Sequence, residues 1–217
     1  MRKEISPIYS YIESVLQPES ELQIRARQKS SELGLLAISI SQTEAHLIQF
    51  MAGLIKPQKI VEIGTLTGLS ALYFLDLLPS NGKLWTFEKS DLHIEKSKQI
   101  LQKYILSNQC EIVEGDAILN LPKITDQGPF DLIFIDANKA AYFEYWIWAQ
   151  KNISLGGMII IDNVFLAGAV WGDQTLQKFN EKQISGMKKM TRDILDSVEF
   201  KSAFVPTSEG LLVCVKK

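Results

Sequence analysis

The stretch IFIDANK, residues 133–139, and its counterpart IIIDNVF, residues 159–165, decide how this chain folds. Each is an apolar, β-branched run that stops abruptly in carboxylate or amide oxygens. Such runs read as strands covered on both faces, the pattern of a parallel sheet beneath helices. In open α/β sheets, ligands bind outside the carboxyl ends of the strands. Asp136, Asp162 and Asn163 therefore stand where function sits. Neighbouring strands lie about 5 Å apart, close enough for three oxygens from two strand ends to grip one hard cation.

Outward from these runs, strands and helices alternate. Strands are expected at 59–63, 83–87, 111–114, 130–135 and 158–161, separated by helices and followed by a helical stretch from about Gln174 to Leu195, broken near Gly186. A closing hairpin, 199–205 and 211–216, has no helix between its strands and so pairs antiparallel. Alternation of this kind gives right-handed crossovers and a doubly wound sheet. Before it come three predicted helices: Ser6-Pro7 to about Leu16; Glu19 to Leu33, ended by Gly34; and one to about Ile55, opened by a Ser41–Glu44 capping box. The division is thus a helical extension over 1–56 and an α/β sheet over 57–217, in one domain.

Composition narrows the function classes. The 217 residues are 46% hydrophobic and 22% charged, with a net charge of −2 and a pI of about 5.8. No basic stripe recommends a nucleic-acid surface. The first residues carry glutamates and no apolar core of a signal peptide, and no apolar run reaches spanning length. A cytoplasmic location is the expectation. Cys110 and Cys214 fall in strand-like contexts and read as buried, reduced thiols.

VEIGTLTGLSA, residues 61–71, joins the first strand to its helix through Gly64 and Gly68. It is neither GxGxxG nor GxxxxGK[ST], so diphosphate cradling is poorly supported. Glu88 ends the next strand about 20 residues beyond the turn, where an acid commonly holds a ribose hydroxyl pair. Asp116 reads either as another acceptor at this sheet edge or as a helix N-cap; Ala117 beside it is small enough for a flat base. Glu62, just before the end of the first strand, suits a cationic ligand. Asp136, Asp162 and Asn163 offer hard oxygens, suited to Mg²⁺, Mn²⁺ or Ca²⁺ rather than zinc.

EIGTLTGLS (62–70), TFE (86–88), EGDA (114–117), FIDANKAAY (134–142) and IDNV (161–164), in this order and spacing, resemble the cation-dependent class I S-adenosylmethionine O-methyltransferases, typified by catechol and caffeoyl-CoA O-methyltransferases. The resemblance covers nearly the whole chain. It implies a Rossmann-like methyltransferase sheet with strand order 3-2-1-4-5-7-6 and strand 7 antiparallel. It implies that Glu62, Gly64, Ser70, Glu88, Asp116, Ala117 and Asp136 line the site of S-adenosyl-L-methionine, covered at its methionine end by Ile38–Ser41, with Ile38 and Ile40 in contact. Asp136, Asp162 and Asn163 match the family's metal triad, with Mg²⁺ the expected ion, and Asp136 and Lys139 are the catalytic pair, Lys139 as general base. The implied acceptor is a small aromatic vicinal diol; the alternative is a hydroxylated uridine in tRNA. Dimeric relatives, with the apolar positions Ile8, Ile12, Val15 and Leu16, imply a homodimer.

Three departures stand out from the family pattern: Asn138 where many relatives have Asp, Glu209 where they often have Asp, and Ile38 for a frequent methionine. Of the aromatic stretch 142–148, Tyr142 is expected to face the site, and Phe165 and Trp171 are candidates for an acceptor wall. His46 and His93 are read as helix residues without partners.

Overall fold

The computed structural model describes residues 7–173 and 178–217. Seven strands form one sheet: β1 (Lys59–Ile63), β2 (Lys83–Glu88), β3 (Cys110–Glu114), β4 (Phe130–Ile135), β5 (Ile153–Ile161), β6 (Phe200–Val205) and β7 (Leu211–Lys216). Their order is β3-β2-β1-β4-β5-β7-β6. Strands β1 to β5 pair in parallel, and β7 runs antiparallel to both β5 and β6. The expected order and the reversed strand 7 are both present. Ile60, Ile63, Ile133, Ile135, Ile159 and Ile161 are wholly buried, as strands covered on both faces require.

Among the described residues, eight α-helices flank the sheet: α1 (Pro7–Val15), α2 (Glu21–Glu32), α3 (Gln42–Gly53), α4 (Leu69–Leu75), α5 (Asp91–Leu106), α6 (Ala117–Asn120), α7 (Tyr142–Asn152) and α8 (Glu181–Asp196). Ala26 of α2 and Ala45, Ile48 and Ala52 of α3 share one apolar core with Ile60, Leu72, Phe74 and Phe134. Helices α2 and α3 are therefore packed into the body of the domain, whereas α1 buries no residue. Among the described residues, no helix is long and apolar enough to cross a membrane.

Several expected boundaries move. Strand β5 begins at Ile153 rather than Met158, because Gly156-Gly157 makes an irregularity rather than a turn: Ile153 pairs with Phe130 and Met158 with Leu132. Ser90, not Asp91, caps α5, its hydroxyl accepting from His93 N–H. Helix α2 starts later than Glu19, behind a capping box of Ser20 and Gln23. Helix α8 is unbroken at Gly186 and opens at Glu181, with Asn180 and Gln183 closing a second capping box. Residues 174–177 of the helical stretch expected there, and Ser6 of the first predicted cap, lie outside the described residues. Both cysteines are free and buried, and burial pushes each thiol up to about 12.

Candidate active site

A cleft of about 650 Å³ opens at the carboxyl ends of β1 to β4. Its floor is the turn 64–68. Gly64 and Gly68 have φ of +111° and +88°, and a Cβ at Gly64 would overlap the carbonyl oxygen of Asp136. Only glycine permits that approach. Gly64 and Thr65 donate their N–H groups to the Phe87 carbonyl at 3.1 and 3.2 Å. Leu66, itself at φ +51°, donates its N–H to Glu88 Oε2 at 2.9 Å.

Glu88 Oε1 accepts from Lys89 N–H and Ser90 N–H, both at 2.9 Å. Three backbone donors thus fix this carboxylate on the cleft wall. His93 Nδ1 stands 3.6 Å from Glu88 Oε1 and lines the cleft together with Lys89. His93 therefore has a partner, against the expectation, whereas His46 packs edge-on to Tyr73 with ring centroids 5.6 Å apart. The signal for His93 was its place in the first turn of the helix after Glu88, which faces the carboxyl edge of the sheet.

Ile38, Ile40, Gly64, Ser70, Glu88, Asp116, Ala117 and Asp136 all line this one cleft. Asp116 is both wall and cap: its Oδ1 accepts from Ile118 N–H at 2.9 Å. Glu62 differs from the rest. It is 0% exposed and lies under the turn, where its Oε2 accepts from Thr86 Oγ1 at 2.5 Å. Its Oε1 has no hydrogen bond. Burial pushes this carboxyl up to about 8; the Ser70 and Thr86 hydroxyls oppose that shift, and the Asp136 and Glu88 charges add to it.

At the far end of the cleft, Lys139 draws three oxygens together. Its Nζ donates to Asp136 Oδ1 at 2.7 Å, to Tyr142 Oη at 2.5 Å and to Asn163 Oδ1 at 2.5 Å. An ammonium has three N–H groups, and each has a partner. The loop is wound so that this happens: Asn138 caps a short 3₁₀ turn, its Oδ1 accepting from Ala140 N–H at 3.2 Å, and Asn163 adopts φ +59°. Asp162 is buried beneath, with Oδ1 accepting from Asn163 N–H at 2.6 Å. Tyr142 is likewise buried. Its phenol is held well above its ordinary range by that burial, with the charges of Asp136 and Asp162 adding to the effect.

The donor chemistry suits a hard divalent ion: two carboxylates and an amide carbonyl from adjacent strand ends. Two of these oxygens, on Asp136 and Asn163, already converge on one positive charge, that of Lys139. The expected acceptor wall is placed differently. Phe165 and Trp171 stack edge to face, ring centroids 5.5 Å apart, but neither lines the cleft, and Trp171 is 66% exposed. Phe179, Lys178, Tyr145 and Glu209 line it instead.

Residues 13–217 match the family model described as O-methyltransferase. A catechol O-methyltransferase of Niastella koreensis is 35% identical over 169 residues, 77% of this chain and 76% of that protein. A catechol O-methyltransferase of Mycobacterium tuberculosis is 30% identical, over 74% of this chain and 73% of its own. Among solved structures, an O-methyltransferase from Bacillus cereus in complex with S-adenosylhomocysteine superposes with a TM-score of 0.87 at 27% identity, covering 100% of both chains. One from Streptomyces achromogenes in complex with S-adenosylmethionine superposes at 0.85 and 26% identity, over 97% of this chain and 96% of its own.

Proposed function

Because this chain belongs to the O-methyltransferase family and takes its methyl group from S-adenosylmethionine, we propose that it methylates one hydroxyl of a small aromatic vicinal diol with the help of a divalent cation. The observation that carries this is the convergence of Asp136, Asn163 and Lys139 at one end of a cleft whose other end is the Gly64 turn and Glu88. The catechol specificity of two relatives supports the acceptor class. Hydroxyuridine in tRNA gains no support from them.

In this reading Glu88 receives the ribose hydroxyls, Asp116 and Ala117 flank the base, and Ile38, Ile40 and Ser70 enclose the methionine end. Glu62, fully buried, braces the turn from beneath through Thr86. Asp136, Asp162 and Asn163 hold the cation, Mg²⁺ with Mn²⁺ or Ca²⁺ as alternatives. Bound there, the ion would supply a Lewis acid that lowers the pKa of a coordinated hydroxyl and orients its neighbour. Lys139 serves as the base that receives the hydroxyl proton at Nζ, with Tyr142 Oη beside it. The acceptor oxygen takes the methyl in line from the sulfonium, leaving S-adenosylhomocysteine and a methyl ether. Orientation of this kind contributes about 7–11 kcal/mol to a bimolecular step.

The reading extends to a single methyltransferase unit over 1–217, working in the cytoplasm as a homodimer. The test compares a catechol-type acceptor with its mono-hydroxy analogue at equal S-adenosylmethionine and Mg²⁺. The diol is expected to react far faster, since a mono-phenol keeps one anchor only. Equal kcat/KM for the two would sink bidentate holding.

A further inference from the structure

Outside the strand ends, one polar cluster reaches the cleft from behind. Arg27, on α2, donates from Nε to Glu19 Oε2 at 2.9 Å and from Nη2 to Glu19 Oε1 at 2.5 Å. Its remaining arm, Nη1, donates to the backbone carbonyl of Ile40 at 3.0 Å. Glu19 Oε1 also accepts from Tyr73 Oη, on α4, at 2.8 Å. Burial alone would raise the Glu19 carboxyl; the hydrogen bond and charge of Arg27, with the Tyr73 hydroxyl, outweigh it and leave it lowered. The fork is charged, bidentate and largely shielded, the strong form of such a pair.

The third arm matters because of what Ile40 belongs to. Ala37, Ile38, Ser39 and Ile40 line the cleft opposite the glycine turn. Their local hydrogen bonds run backward within the same segment: Ile38 N–H and Ser39 N–H reach the Leu35 carbonyl, as does Ser39 Oγ. These shape the segment but do not fasten it to the body. The fastening comes from the buried Ile40 side chain, packed with Ala26, Ala45 and Ile48, and from Arg27. The same helix also grips the opposite wall. Ser30 Oγ and Thr67 Oγ1 share a hydrogen bond of 2.6 Å, and Thr67 Oγ1 donates to the Ala26 carbonyl at 3.1 Å. Helix α2 thus touches the cover through Arg27 and the turn through Ser30.

We propose that Arg27 is a positioning residue for the methyl donor: by holding the Ile40 carbonyl it fixes the cover, residues 37–40, at its working distance from the Gly64–Gly68 turn. It does so without contacting the cofactor. This rests on reading the cleft as the S-adenosylmethionine site. A lysine keeps the charge but not the planar fork with a free third arm.

The test is calorimetry with S-adenosylhomocysteine, with steady-state kinetics and amide hydrogen exchange, on the full chain and on Arg27→Lys and Glu19→Gln. Arg27→Ala would strand Glu19 half-buried and endanger folding, so the two milder variants carry the question. Arg27→Lys is expected to raise the Kd for S-adenosylhomocysteine and the KM for S-adenosylmethionine about tenfold, a modest coupling, with kcat at saturating cofactor within about twofold of the wild type. Exchange should quicken at 37–40 more than along α2. A folded Arg27→Lys and Glu19→Gln that bind with the wild-type Kd would overturn the inference, even if both melt earlier, because that pattern marks a purely structural pair. Wild-type protein that does not bind the probe would overturn the reading of the cleft and this inference with it.

Discussion

Lys139 Nζ lies 2.5 Å from Asn163 Oδ1, across two strand ends that are 24 residues apart in sequence. With Asp136 Oδ1 at 2.7 Å, the lysine fills the point on which a divalent ion would draw. On the proposed reading, base and cation therefore share oxygens. Lys139→Ala is expected to lower kcat by about 10²–10⁴-fold, the usual contribution of general base catalysis, while leaving Mn²⁺ affinity undiminished or tighter. Calorimetric titration with Mn²⁺ beside a kcat measurement checks both halves. A near-wild-type kcat would remove Lys139 from proton transfer.

Turnover is expected to stop on chelation with EDTA and to return with Mg²⁺ or Mn²⁺. Asp162→Ala should abolish activity yet still bind S-adenosylhomocysteine, because the cofactor wall is built at β1 to β3. Full activity of metal-free protein would refute the cation's role.

Glu88→Ala should weaken S-adenosylmethionine affinity by about 1.5–3 kcal/mol, the scale of charge-assisted hydrogen bonds. The carboxylate also holds the Leu66, Lys89 and Ser90 amides, so the variant is compared at matched thermal stability. Unchanged affinity in a folded variant would unseat Glu88 as the ribose acceptor.

Glu62 gives a pH signature. Folded, its carboxyl keeps its proton to about 8, against an ordinary value of 4.5. Between these values the folded state binds more protons than the unfolded, so this group's contribution to stability falls as pH rises through the window. Glu62→Gln removes that loss. Without cofactor, unfolding free energies from urea titration should match wild type near pH 4 and exceed it at pH 8.5 by more than about 1 kcal/mol. A constant offset across the range would show that Glu62 does not titrate there.

The N-terminal face bears on assembly. Ile8, Tyr11 and Val15 of α1 and Phe50 and Leu54 of α3 are exposed, while Ile12 and Leu16 are partly covered. Light scattering is expected to give twice 24.5 kDa, and Phe50→Asp to shift the mass toward the monomer. A wild-type monomer at micromolar concentration would reject the dimer.

What the sequence discloses depends on where the determining forces are local. The runs ending at Asp136 and Asp162 are legible because burial on both faces leaves no polar alternation to confuse them. The strand–helix turns follow from glycine stereochemistry at Gly64 and Gly68. Gly186 misleads because packing along α8 tolerates a glycine that propensity penalises. Phe179 and Glu209 join the cleft through tertiary placement, which no spacing encodes. Glu62 shows the limit within the site itself: its position was legible, but its complete enclosure was not.

The contact between Gly64 and the Asp136 carbonyl has an engineering consequence. The turn at Gly64 and the end of β4 at Asp136 are backbone pressed on backbone, with no side chain between them to trim or enlarge. On the proposed reading, that contact sets the reach between donor and acceptor. Libraries aimed at new acceptors should leave residues 64 and 136 untouched and diversify Phe179, which lies outside both the cover and the lysine turn.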